Sequence, residues 1–286
     1  MKIIEQFIEA KTGNPELCED GIAANDCFAA VIDGATSKGA FTFQSKTSGR
    51  IAMELIREAV LGFNPGIDAA AAVHGINAHI REWYKEQGIL DEMRAKSEER
   101  CTASAVLYSD VKKEIWLIGD CQALLNGRPL KNEKQADRIF SEMRALLIHA
   151  ELAQGKTEAE LLLRDTSRER LLDLLRQQTK LQNTRLKSEF AYYVIDGFEW
   201  AGFESELSGR EPETGLLIFP VTEPHGEIIL ASDGYPELLP SLAETEASLA
   251  GVLREDPLCY KEFRTTKGCY SGNLSFDDRA YIRFSY

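Results

Sequence analysis

The sequence contains no apolar segment approaching the roughly 20 residues that span a bilayer, which excludes a transmembrane helix. It also lacks any sustained Lys/Arg stripe, and its formal net charge is −13. Nonspecific nucleic-acid binding is thereby excluded, because phosphate backbones demand a basic face. The six cysteines (Cys18, Cys27, Cys101, Cys121, Cys259 and Cys269) form no Cys-x-x-Cys pair, and most sit in apolar or strand-like runs. They read as reduced packing residues, not as a disulfide framework or a zinc site. Histidine is scarce, and His74 and His79 lie five apart, off the i,i+4 spacing of a helical metal pair. The start, MKIIEQFIEAKTG, places glutamates inside its short apolar portion and offers no small-residue cleavage site, so a cytoplasmic protein without a signal peptide is expected. With no repeat, low-complexity tract or Pro/Ser-rich linker, one domain over residues 1–286 is the economical division.

What is present is an ordinary globular balance, 44% apolar and 28% charged, in a chain long enough to bury a substantial core. Its most informative stretch is FAAVIDGATSKG, Phe28 to Gly39. Phe28, Ala29, Ala30, Val31 and Ile32 read as a buried strand that Asp33-Gly34 breaks with a turn. Such an ending fixes a carboxylate at the rim of a core, and the glycine lets a neighbouring carbonyl turn toward the same point, where a hard cation could use both. A single Asp-Gly is more often a plain turn.

Taken in order, residues 2–10 read as a first strand, and Glu19 and Asp20 as two acids in a turn returning toward Asp33. Alone, that pair is a solvated hairpin loop. Helical spacing covers Thr42 to Leu61 and residues 67–87. CTASAVLYS, KEIWLIGD and CQALLNG then look like consecutive antiparallel strands, with turns at Asp110 and Asn126-Gly127, and Gly119-Asp120 again puts an aspartate at a strand end. From Asn132 to about Leu181 the chain is helical, split near Gly155, with Thr157 as N-cap and Glu160 completing a capping box. A helical hairpin inserted between strands is the simplest picture, whether as a substrate-facing flap, a partner surface or a scaffold. Strands resume with FAYYVIDG (190–197), GLLIFPV (215–221) and EIILASDG (227–234). A helix from Ser241 to Leu253 follows, and Phe276-Asp277-Asp278 leads into a last strand, RAYIRF.

Several apolar strands across the whole chain each end in an aspartate. A sheet brings strand ends together along a rim, so Asp33, Asp120, Asp233 and Asp277 could converge. Carboxylates packed that closely repel unless cations neutralise them. Mg²⁺ or Mn²⁺, which prefer oxygen ligands, are the natural occupants.

The ordered motifs CEDG (18–21), VIDGATSKG (31–39), CTASAVLYSD with IWLIGDCQALL (101–125), IILASDG (228–234) and SFDDRAYIRF (275–284) resemble the type-2C, metal-dependent protein phosphatases of the bacterial type. The match reaches both ends and the middle of the chain and leaves about 130–185, the helical insertion, uncovered. The resemblance implies an α+β fold, a four-layer α-β-β-α sandwich of two antiparallel sheets with outer helices. It also implies a centre of two or three Mn²⁺ or Mg²⁺ ions. In that centre Asp33 would bridge two ions, Gly34 would lend its carbonyl, and Asp233 and Asp277 would complete the direct carboxylate ligands. Glu19 would hold metal-bound water, and Asp120 would help bind a third, looser ion. Asp20 and Asp278 would stand behind the ligands; Asp278 replaces a common asparagine and could exchange roles with Asp277.

The implied reaction is hydrolysis of phosphoserine or phosphothreonine by a hydroxide held between two metals, with a phosphorylated protein as substrate and no role for membrane or nucleic acid. Three departures bear on it. The family's phosphate-binding arginine is missing, with Lys11 the nearest base; Ala35 replaces a histidine common in eukaryotic members; and the helical insertion does not resemble the usual flap. Two other functions follow from these departures: a catalytically weak regulatory module that binds a partner through the insertion, and a phosphatase of a small phosphorylated metabolite.

Overall fold

The computed structural model describes residues 1–39, 41, 43, 46–184, 186, 188–198 and 215–286. Ten strands form two antiparallel five-stranded sheets. The first sheet, in spatial order, is β1 (Lys2–Glu9), β10 (Arg279–Ser285), β9 (Glu227–Ala231), β6 (Gln122–Leu125) and β7 (Arg128–Lys131). The second is β2 (Asp20–Ala24), β3 (Phe28–Ala35), β4 (Thr102–Ser109), β5 (Glu114–Ile118) and β8 (Leu216–Pro220).

Strand alternation sorts the side chains into layers. In β3, Ala29 and Val31 join Ile22, Val106, Tyr108 and Leu117 against Ala123, Leu230, Ile282 and Phe284 of the other sheet, making the central core. Phe28, Ala30 and Ile32 point the opposite way, onto α1 (Ser48–Leu61) and α2 (Ala69–Glu86) through Ile56, Val60, Ile76 and Ile80. Fully burying a Phe or Ile here contributes about 1.5–3 kcal/mol, so a strand apolar on both faces fits only the middle of such a stack. On the far side, Leu124, Ile229 and Tyr281 pack against Leu249 of α8 (Leu242–Glu255). The result is the expected α-β-β-α sandwich. Among the described residues no helix is long and apolar enough to cross a membrane, and all six cysteines are free thiols.

Several expectations change. Glu19 and Asp20 are not a solvated turn: Asp20 begins β2, both side chains are buried, and the hairpin reverses at Asn25–Cys27 instead. The helix expected from Thr42 begins at Ser48, with Thr47 accepting the Arg50 N–H as N-cap; Thr42 itself lies outside the described residues. The strands at 101–127 are not consecutive in one sheet. Gly119, at φ +78°, carries the chain from β5 into the other sheet, and a Cβ there would meet Ser104 Oγ at 2.1 Å. Asn126 and Gly127 do turn tightly, both at positive φ, into β7, a strand the sequence reading omitted.

FAYYVIDG is not a strand. Ile195 makes one isolated bridge to Ala103, and Asp196 is buried instead as an acceptor for Arg100 Nη1 (2.9 Å) and Gln182 Nε2 (2.8 Å). The helical segment is no two-helix hairpin. It consists of α4 (Gln135–Ala153) followed by the short helices α5 (Glu158–Leu163), α6 (Thr166–Glu169) and α7 (Leu172–Gln177) and a 3₁₀ turn. The capping box of Thr157 and Glu160 opens α5.

Candidate functional site

Register sets the first acids. Asp20 of β2 pairs directly with Asp33 of β3, and Ser104 of β4 lies opposite Asp33 on its other side. Asp33 continues the inward face of Ala29 and Val31, Asp20 that of Ile22, and Ser104 that of Val106, each at the point where the apolar core ends. From the first sheet, Asp233 follows β9 and its backbone N–H donates to Asp33 Oδ2 at 3.4 Å. Asp277 and Asp278 precede β10. Asp120, at the corner after β5, accepts from Ser104 Oγ at 2.5 Å. Asp33, Gly34, Asp120, Asp233, Asp277 and Glu19 all line one cavity of about 770 Å³.

Gly34 is where α1 and the Glu19 backbone close on β3. Its N–H donates to the Glu19 carbonyl at 3.2 Å, and a Cβ would lie 2.3 Å from the Gly49 carbonyl oxygen. Only glycine permits that approach. Glu19 is held at two points, Thr36 Oγ1 donating to its Oε2 at 2.5 Å and its own N–H donating to Asp278 Oδ2 at 2.8 Å, while its Oε1 is buried without a partner. Asp278 accepts the Lys11 N–H on its other oxygen at 2.8 Å. It therefore fastens the chain around Glu19 from behind, with both oxygens engaged by backbone donors.

Three lysines answer the acids. Lys134 Nζ sits 2.6 Å from Asp120 Oδ2, and Lys11 Nζ 3.3 Å from Asp277 Oδ1, while Lys267 Nζ contacts Asp277 Oδ2. The acids consequently divide into two groups. Asp277 and Asp120 are held below the usual carboxylate range despite burial, the first by Lys267 and Lys11, the second by Lys134. Asp33, Asp20 and Asp233 are pushed well above it, by burial first and then by one another and their acidic neighbours.

The sequence reading did not find Lys134 or Lys267. A lone lysine at a helix start or in a Thr-Thr-Lys-Gly loop carries no periodic or motif signal; only the unneutralised excess of aspartates hinted that cations had to arrive from elsewhere.

Among the described residues no three His, Cys, Asp or Glu side chains stand together as a closed metal cage. Asp277 and Asp120 face ammonium groups instead. The donor set nonetheless fits hard divalent ions: it is all oxygen, and Glu19 Oε1 and Asp20 Oδ2 are buried with no partner. In formal charges, the seven carboxylates of Glu19, Asp20, Asp33, Asp120, Asp233, Asp277 and Asp278 exceed the three ammonium groups by four. Divalent ions would offset that excess, together with Lys38 and Arg168 of the same cavity.

No family model matches the sequence, and no curated protein matches it. Solved structures to which the chain is similar include bacterial serine/threonine phosphatases. The serine/threonine phosphatase PstP/Ppp of Mycobacterium tuberculosis is 14% identical, with a TM-score of 0.46 over 100% of this chain and 98% of that one. A PstP catalytic domain in complex with two manganese ions is also 14% identical, with a TM-score of 0.47 over 98% and 96%. The serine/threonine phosphatase Stp1 of Staphylococcus aureus is 12% identical, with a TM-score of 0.45 over 99% of this chain and 94% of that one.

Proposed function

We propose that this chain is a type-2C, metal-dependent phosphatase that hydrolyses phosphoserine and phosphothreonine in proteins. One observation carries the reading: Asp33, Asp120, Asp233 and Asp277, from four separate strand ends, open into one cavity, with partnerless acid oxygens of Glu19 and Asp20 in the same cluster.

Asp33, Asp233 and Asp277 would hold two Mn²⁺ or Mg²⁺ ions, with Asp33 central because both sheets bring an acid beside it, and Asp120 would serve a looser third. Bound there, such ions acidify water and so supply hydroxide near neutral pH. Glu19 and Asp20, with their partnerless oxygens, would accept hydrogen bonds from water at such ions, and Asp278 keeps Glu19 in place. Ser104 fixes the orientation of Asp120. The chemistry such ions would supply is attack of that hydroxide on phosphorus in line with the departing serine or threonine oxygen.

A cysteine nucleophile is disfavoured on the chain's own chemistry. Burial, then the neighbouring acids, push the Cys18 thiol up to about 12, and Cys121 is raised by the same causes. A thiol so raised supplies almost no thiolate.

The test is hydrolysis of a phosphothreonine peptide and of a panel of phosphorylated metabolites, with Mn²⁺ or with EDTA, by wild type and Asp33→Asn. The expected result is Mn²⁺-dependent peptide turnover that falls about 1,000-fold or more in the variant, several kcal/mol of lost transition-state stabilisation. Turnover that survives EDTA, or an unimpaired variant, contradicts the proposal. Preference for metabolites would keep the chemistry and replace the substrate.

A further inference from the structure

The wall facing the acids carries a group of cations, interspersed with Glu133 and Asp137, in a chain that is acidic overall. Lys38, Lys134, Arg168 and Lys267 line the same cavity as Asp33 and Asp233. They crowd one another: burial, then Lys134, Arg168 and Lys267, push the Lys38 ammonium down to about 8, against the opposing pull of Asp137. Cations that repel across a void are stabilised by an anion between them.

The helical segment carries Lys134 and Arg168 itself and braces the loop that carries Lys267. Lys134 is the N-cap residue of α4. Lys267 stands on the loop between α8 and β10, which the same segment holds. Arg144 of α4, fully buried, donates from Nη1 to the carbonyls of Leu258 (2.8 Å) and Thr265 (3.2 Å), and from Nε to Asp165 Oδ2 (2.7 Å). Arg168 donates to the Thr266 carbonyl, beside Lys267. Both ammonium groups thus rest on a braced wall and line the void, Lys267 touching Asp277 and Lys134 touching Asp120 and, more loosely at 3.9 Å, Asp137.

We propose that the helical segment builds the anion-binding half of this site, with Lys134 and Lys267 taking the phosphoryl group of the substrate. The proposal rests on the phosphatase reading only for the identity of the anion. An ammonium has three donors, and the carboxylate of Asp120 or Asp277 uses one or two of them. Each lysine can turn from its acid to a phosphoryl oxygen once a cation has taken that acid's charge. Lys11 is placed differently: it lies between Asp277 and Asp278 on the acid side, with its backbone tied to Asp278. The alternative role for Lys134 and Lys267 is that of fixed counterions for Asp120 and Asp277, and phosphate binding separates the two.

The experiment is calorimetric titration of inorganic phosphate into the Mn²⁺-loaded full chain, for wild type, Lys134→Met, Lys267→Met and Lys267→Arg. Mn²⁺ titrations and circular dichroism are run on the same samples. The expected result is phosphate affinity weakened roughly 10- to 100-fold in each methionine variant, the size of a lost hydrogen bond to a charged group. Lys267→Arg should recover part of it, and Mn²⁺ affinity should be unchanged or tighter in folded protein. Phosphate affinity within about twofold of wild type in both methionine variants overturns the proposal, as does wild type that binds no phosphate. Phosphate binding lost together with Mn²⁺ binding overturns it too, since it marks the lysines as structural supports of the acid cluster. Lysine-dependent phosphate binding by a protein that hydrolyses no phosphoester would sink the phosphatase reading and leave this proposal standing.

Discussion

The two sides of the cavity are built by different means. The acid side comes from strand ends, where pairing register sets Asp20 beside Asp33 and Asp33 beside Ser104 at fixed spacing. The cationic side comes from helices and a loop, where Lys134 and Lys267 sit on long rotatable stems and a buried arginine of α4 ties the helix to the loop at Leu258 and Thr265. A sheet can hold like charges together against their repulsion because its hydrogen-bond ladder, not the charges, decides position. The wall needs no such rigidity, because an ammonium finds its partner by rotating about its stem.

Breaking the wall alone should have the largest effect on stability. Arg144→Met leaves Asp165 buried without its partner and releases the carbonyls of Leu258 and Thr265. A loss of about 3–5 kcal/mol is expected, as for other broken buried ion pairs. Urea denaturation measures it, and Mn²⁺ affinity measured below the transition should stay near wild type, because no acid-side residue moves. Equal damage to Mn²⁺ binding would mean that the two sides are one unit.

The acid side can be strained in its turn. Gly34→Ala would place a Cβ against backbone oxygens of Gly49 and Glu19, which cannot swing aside as a side chain could. Overpacking of this kind costs about 1–3 kcal/mol. Because the strain falls between Glu19 and Asp33, Mn²⁺ affinity should drop with it; an alanine variant with wild-type stability and affinity would show the approach to be looser than described.

Smaller still, Thr157→Ala removes the cap of α5, which bonds the Glu160 N–H at 3.2 Å. About 1 kcal/mol should be lost. Phosphate and Mn²⁺ binding should not change, since this helix end contacts neither side of the site. A change in either would show that the far end of the segment is coupled to the cavity.

Legibility in the sequence followed the same division. Asp33, Asp120 and Asp233 were visible because an apolar run ending in an acid is a local signal, and the sandwich followed from several such runs in order. The sheet switch at Gly119 was not, because a chain crossing between sheets and a chain turning within one share the same glycine. Glu19 and Asp20 read alone as a solvated loop because two adjacent acids normally seek water, and only the family resemblance puts them at the site; the core's end buries both, and the Asp278 carboxylate holds the Glu19 backbone. The wall was the least legible. The buried face of α4 runs through Ser141, Arg144, Ala145, Ile148 and Glu151, while Leu146 is 69% exposed. Hydrophobic periodicity reads such a helix with the wrong side inward, because its buried face is cemented by charge pairs.

The most direct test of the central claim, that the strand-end acids form a divalent metal centre, is anomalous diffraction at the manganese edge from crystals grown with Mn²⁺. The account predicts strong peaks bonded to carboxylate oxygens of Asp33 and Asp233, with the ammonium groups of Lys134 and Lys267 turned toward the cavity. Crystals that show no manganese at these acids, with Lys267 still on Asp277 and Lys134 still on Asp120, would contradict it.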